Sequence, residues 1–167
     1  MDRPRCARFT GAVYPLCLMA RWSAASAIDL LESMAKHHAS DSLGQFAAAL
    51  LVQVQQDRDT LRNVARRIGH SSNGLKDAAA WFAEKVSRLK LNHDSGDGLG
   101  TFEALEFLEL GIFGKLVMWR ALTELATVDP RLQGMDFEQL AARAELQRSK
   151  VEERRLDVGR AVFVPSA

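Results

Sequence analysis

Residues 43–68 read LGQFAAALLVQVQQDRDTLRNVARRI, and stepping through them by four and three picks out Leu43, Ala47, Leu50, Val54, Asp57, Leu61, Val64 and Ile68. Apolar residues at that spacing share one face of an α-helix, whereas a strand would alternate faces at every residue. The run therefore commits this stretch to a long amphipathic helix with a buried seam. Asp57 is the one charge in that seam. A carboxylate in such a position is costly unless it is paired, metal-bound or neutralised. It marks either the remnant of a site or an internal lock.

The same reading extends along the chain. A first helix is predicted from Val13 to His37, with Leu16, Ala20, Ala24, Ala27, Leu31 and Met34 on one face. Ser42 with Gln45 has the pattern of a capping box at the start of the seam helix, and Gly69 ends it after Arg66 and Arg67. A shorter helix is predicted over 75–89, between the loops 70–74 and 92–100. Thr101 is expected to cap a fourth helix running to Val128, and Asp129-Pro130 to stop it. Asp136, with Gln139 three residues on and Met135 and Leu140 at staple spacing, opens a fifth helix that reaches Phe163. The fourth helix is apolar around most of its circumference, so more than one of its faces needs covering. Its Gly111 and Gly114 lower helix propensity and suggest a close backbone crossing.

Tight connections within each pair of long helices, and a long one between the pairs, predict an all-α fold. The arrangement is a ferritin-like up-down four-helix bundle with one extra short helix in the crossover. One domain over 13–163 is expected, with an irregular or flexible segment at 1–12 and a tail at 164–167. The 22 basic and 21 acidic residues leave a formal net charge of +1. Such a balance creates no field that would favour nucleic acid or an anionic membrane as partner. No stretch approaches the roughly 20 apolar residues of a membrane span. Cys6 and Cys17 have neither zinc-site spacing nor a disulfide framework around them, and read as free thiols of a cytoplasmic protein. Arg3, Arg5 and Arg8 before the apolar 11–20, with Ala25-Ser26-Ala27 beyond, support secretion through an N-terminal signal as the alternative.

The segments DRDTLRNVARRIG, AAAWFAEKVSRLKL, ELGIFGKLVMWRAL and DPRLQGMDFEQLAARAELQR resemble a group of uncharacterised bacterial ferritin-like proteins. These are distantly similar to YciF-like helical bundles. The resemblance covers about residues 28–163, rests on scaffold motifs, and implies a fold without an established activity. Ferritin-like oxidases carry a glutamate on each of two helices and Glu-x-x-His on each of the other two. This chain has no Glu-x-x-His, and His37, His38, His70 and His93 fall at helix ends or in loops.

The fifth helix offers partners for Asp57. Arg148 and Arg155 lie on its apolar face one heptad apart, and an arginine can bury its stem while its fork holds a carboxylate. The expectation is that Asp57 meets Arg148 or Arg155 inside the bundle, unless both arginines snorkel to the edge and leave Asp57 solvated. Glu103, Glu106 and Glu109 form an acidic row that reads as a solvated stripe. A metal reading would take Asp57, Glu106 and Glu109 as ligands for iron or manganese in an oxidase-type enzyme. Trp81 with Lys85, and Trp119 with Arg120, read as packing pairs before they read as stacking sites. The function expected is non-catalytic, through contacts with a second copy (a homodimer) or another helical protein. No cofactor is expected, and a stress-related role is the one specific setting considered.

Overall fold

The computed structural model describes residues 26–68 and 98–164, and among them every regular element is helical. Residues 26–37 form α1, Ser42–Ile68 form α2, Leu99–Ala126 form α3 and Phe137–Phe163 form α4, with a 3-10 turn at Pro130–Leu132. The segments 13–25 and 75–89, with Cys6, Cys17, Trp81, Lys85, His70 and His93, lie outside the described residues.

The seam of α2 packs as its spacing predicts. Ala47, Leu50, Val54, Asp57, Leu61, Val64 and Ile68 are all buried, with Gly44 extending the row at the N-terminal end. Leu30, Leu31 and Met34 of α1 and Leu105, Leu108, Leu116, Met118, Trp119 and Leu122 of α3 complete the centre of the core. Phe137, Ala144 and Val151 close it from α4.

Helix directions follow from which ends meet. The α1 C-terminus turns through residues 38–41 directly into α2, so the two run antiparallel. The Thr101 hydroxyl at the start of α3 lies 3.4 Å from His38 Nε2 beside the start of α2. At the other end, Arg131 Nη1 beyond α3 donates to the Ile68 carbonyl at the end of α2 across 3.0 Å. α2 and α3 are therefore parallel. α4 runs against both, because Phe102 meets Phe163 edge-on at 5.0 Å between ring centroids while Trp119 stacks on Phe137 at 6.0 Å. Among the described elements from Ser42 onward, α3 and α4 share the most extensive interface, and α2 leans on α4 and on the 3-10 turn. The α2 and α3 backbones make no approach within 8 Å, which places them diagonally across the core.

Helix ends depart from expectation at two places. Asp41 is the residue that caps α2: its Oδ1 accepts from the backbone N–H groups of Leu43 and Gly44 at 2.8 and 3.1 Å, and Ser42 is already helical. An aspartate at this position also places negative charge on the positive end of the helix dipole. α3 begins two residues earlier than Thr101, after Gly98 at φ 77°, and Thr101 is buried inside the helix. The third expected cap is as read: Asp136 Oδ1 accepts from Gln139 N at 2.8 Å.

Gly111 and Gly114 do not mark a close crossing, since a Cβ on either meets nothing within 4 Å among the described residues. The close approach is at Gly44 instead, where an added Cβ would stand 1.9 Å from the His38 carbonyl oxygen. The tight α1–α2 turn folds the end of α1 directly over the first turn of α2, and only a hydrogen fits between them.

Candidate functional site

Position 57 faces the core because it continues the apolar seam of α2, and the Asp57 side chain is 3% exposed. Two cations converge on it. Lys115 of α3 brings Nζ to 2.5 Å from Oδ2, and Arg143 of α4 donates from Nη2 to Oδ1. Gln147 of α4, also buried, donates from Nε2 to Asp57 Oδ2 at 3.3 Å and to Gln53 Oε1 at 3.0 Å, while its own Oε1 accepts from Lys115 Nζ. Three helices thus meet through one carboxylate, one ammonium, one guanidinium and a carboxamide that bridges them.

Each group reaches the centre by helical periodicity. Lys115 lies on the seam of α3 between Leu108, Ile112, Trp119 and Leu122, as Asp57 does on α2. Gln147 sits between Ala144 and Val151 on α4, and Arg143 is one turn before it. The Arg143 side chain is the most exposed of the cluster, entering from the rim with its stem against the bundle. Burial holds the Lys115 amine below the ordinary lysine range; Asp57 pulls in the opposite direction, and neighbouring Arg143 adds to the depression.

The partners of Asp57 are therefore Lys115 and Arg143, and neither Arg148 nor Arg155 reaches it. Those two arginines flank the inward row of α4 and turn to the outer seam between α3 and α4. Arg148 Nε donates to Glu109 at 2.6 Å and its guanidinium lies 5.3 Å over the Phe113 ring. Arg155 donates to Glu152 at 2.7 Å and approaches Glu106 at 3.5 Å, with its guanidinium over Phe102. Arg120 and Glu145 add a further pair across the same seam at 3.2 Å. The acidic row of α3 is consequently a bridging row: Glu106 and Glu109 face arginines, and the metal reading of Asp57, Glu106 and Glu109 has no common point at which the three would meet. Among the described residues no group of three or more His, Cys, Asp or Glu side chains stands close enough to hold a metal ion. Trp119 is a core residue stacked on Phe137, and Arg120 points away to Glu145.

Chemically, the central cluster is an ion-pair network in which both carboxylate oxygens of Asp57 accept hydrogen bonds from cations, while Arg143 Nε is buried with no hydrogen-bond partner among the described residues.

No protein-family model, curated protein or solved structure matches the chain.

The signals for Lys115, Arg143 and Gln147 are present in the sequence. Lys115 interrupts the α3 seam in the way that Asp57 interrupts that of α2, and Gln147 does so on α4. Lys115 is masked because α3 is apolar on nearly every side, which leaves its seam without a clear polar contrast. Among the described residues no helix is long and apolar enough to cross a membrane.

Proposed function

We propose that the protein is a non-catalytic helical bundle of ferritin-like type that acts through protein–protein contacts, as a homodimer, and that its central cluster locks the helices in register. The observation that carries this reading is the occupation of Asp57 by Lys115 and Arg143. At the level where ferritin-like oxidases gather carboxylates and histidines around metal, this chain supplies its own cations. An ion pair of this kind adds little net stability, but it penalises every register in which a charge is left alone.

The parallel placement of α2 and α3, with chain that leaves one end of the bundle at Ile68 and re-enters at the other at Gly98, supports a ferritin-like connectivity. The outward face of α3 supports the contact role. Leu110, Phe113 and Val117 stand one turn apart with 70%, 46% and 44% of their surface exposed. Aligned apolar side chains on one exposed helix face are a recognition surface.

Light scattering across a dilution series tests the dimer, and metal analysis of protein purified without chelators tests the absence of a redox or Lewis-acid centre. A dimer that dissociates on Leu110→Lys, with no stoichiometric iron or manganese, is the expected result. A monomer at every concentration overturns the contact reading, and stoichiometric metal overturns the non-catalytic one in favour of a carboxylate-based oxidase.

A further inference from the structure

α3 carries two seams. One faces the core through Leu105, Leu108, Ile112, Trp119 and Leu122. The other is Glu106, Leu110, Phe113, Val117 and Arg120, stepping by four and three residues, and every member of it is exposed. Side chains at that spacing form one continuous stripe along a helix. The middle of this outer stripe is apolar, and its two ends carry opposite charges.

Phe113 is its centre, because Glu106 stands two heptad steps of three and four before it and Arg120 the same count after it. Each charge therefore lies about 10 Å along the axis from Phe113. A two-fold axis at Phe113 lays Glu106 of one copy beside Arg120 of the other, once on each side, and sets Leu110 against Val117. The stripe is thus complementary to itself when the two helices run antiparallel. A parallel pairing would set Glu106 on Glu106 and Arg120 on Arg120, and like charges facing each other across an interface are disfavoured. Glu103 and Glu124 fall opposite one another in the antiparallel pair, but at its outer ends, where solvent and salt screen them.

Both end charges remain available to a partner. Arg120 keeps 63% of its side chain exposed while 3.2 Å from Glu145, and Glu106 keeps 51% exposed while 3.5 Å from Arg155. Exposed ion pairs of that kind hold their members weakly.

We propose that α3 pairs antiparallel with α3 of a second copy across a two-fold axis at Phe113, with Leu110 against Val117 and Glu106 against Arg120. The inference rests on the homodimer reading and adds its surface, orientation and register. A contact of the same patch with itself closes on two copies and goes no further. A different helical protein would have to present the order acid, apolar, base in reverse, and this chain already contains it.

Sedimentation of the full chain gives the dimer Kd for wild type, Glu106→Arg, Arg120→Glu and the double variant. Each single variant puts two like-charge contacts into every dimer and is expected to weaken Kd at least about tenfold at low salt. The double variant exchanges the charges and is expected to return to within about threefold of wild type, as coupled positions do. Circular dichroism is expected to show unchanged helix content in all three, since both positions are exposed. Orientation is read separately, from the distance between nitroxide labels on Glu124→Cys in the full chain carrying Cys6→Ser and Cys17→Ser. Antiparallel copies centred on Phe113 hold those labels about 33 Å apart. A wild-type chain that stays monomeric sinks the homodimer reading and this pairing together. A wild-type dimer overturns the pairing alone if the single variants leave Kd unchanged or the double variant fails to recover. Labels about 20 Å apart or closer, as on parallel helices at an interaxial spacing of about 8–10 Å, do the same.

Discussion

Lys115 Nζ lies 2.5 Å from Asp57 Oδ2, although the two residues belong to helices whose backbones nowhere approach within 8 Å. The long lysine stem spans the diagonal of the bundle, and its charge ends on the one carboxylate of the opposite seam. A shorter cation on α3 would not reach, and a cation on neighbouring α4 need not cross the core at all. Arg143 shows the second case, entering from the rim.

The pair is expected to behave as a unit. Lys115→Met leaves Asp57 buried with only Arg143 to balance it, and should lower stability by about 3–5 kcal/mol, the usual cost of breaking a buried pair. Adding Asp57→Leu completes the apolar seam of α2 and should recover most of that loss. Urea unfolding of both single variants and the double measures the coupling. Additive losses would mean that the two charges do not depend on each other.

The amine of Lys115 should titrate below the ordinary lysine value of 10.5, because burial disfavours its charged form. Between the depressed value and 10.5 the unfolded chain holds a proton that the folded chain has released. Stability contributed by this site therefore rises with pH through that window, and is lowest below it, where the charged amine bears the full cost of burial. The stability of wild type minus that of Lys115→Met should climb as pH approaches 10.5. A flat or falling difference counts against the assignment.

Arg148 and Arg155 are expected to matter little. Both lie on the outer seam with partly solvated partners, where an ion pair is worth about 0–1 kcal/mol. Arg148→Met and Arg155→Met should each cost less than about 1 kcal/mol in the same urea assay, and the loss should shrink further in added salt. A cost matching that of Lys115→Met would place these arginines in the central cluster after all.

Two glycines of similar appearance should respond in opposite directions to alanine. At Gly44 a Cβ collides with the backbone of His38, which is anchored by the turn into α2. Gly44→Ala should destabilise by at least about 1–3 kcal/mol, as overpacking does. At Gly114 a Cβ meets nothing within 4 Å, and Gly114→Ala should gain up to about 1 kcal/mol from helix propensity. Thermal unfolding of the two variants shows the contrast, and a loss at Gly114 would reveal a contact made by that face.

The helices and their seams were legible because burial repeats with the period of the backbone. Leu50, Val54, Leu61 and Val64 announce their side of α2 without reference to any other part of the chain. Asp136 likewise announces the start of α4, since a cap is satisfied within its own first turn. Local signals failed where two candidates lay side by side: Asp41 and Ser42 are adjacent capping residues, and which of them caps depends on how α1 turns over Gly44.

Helical periodicity alone puts Asp57 on the apolar seam of a helix, where burial requires it to be paired, metal-bound or neutralised. Which cation answers it was decided by tertiary structure alone. Arg148 and Arg155 share a face with the apolar row of α4, yet they sit at its flank, and Glu109, Glu106 and Glu152 take them up. Lys115 and Arg143 take Asp57 because the parallel placement of α2 and α3, with α4 between them, brings residues 58 and 86 positions distant in the chain to the same level. Periodicity specifies direction about a helix axis, and only packing specifies which side chains arrive at the same height.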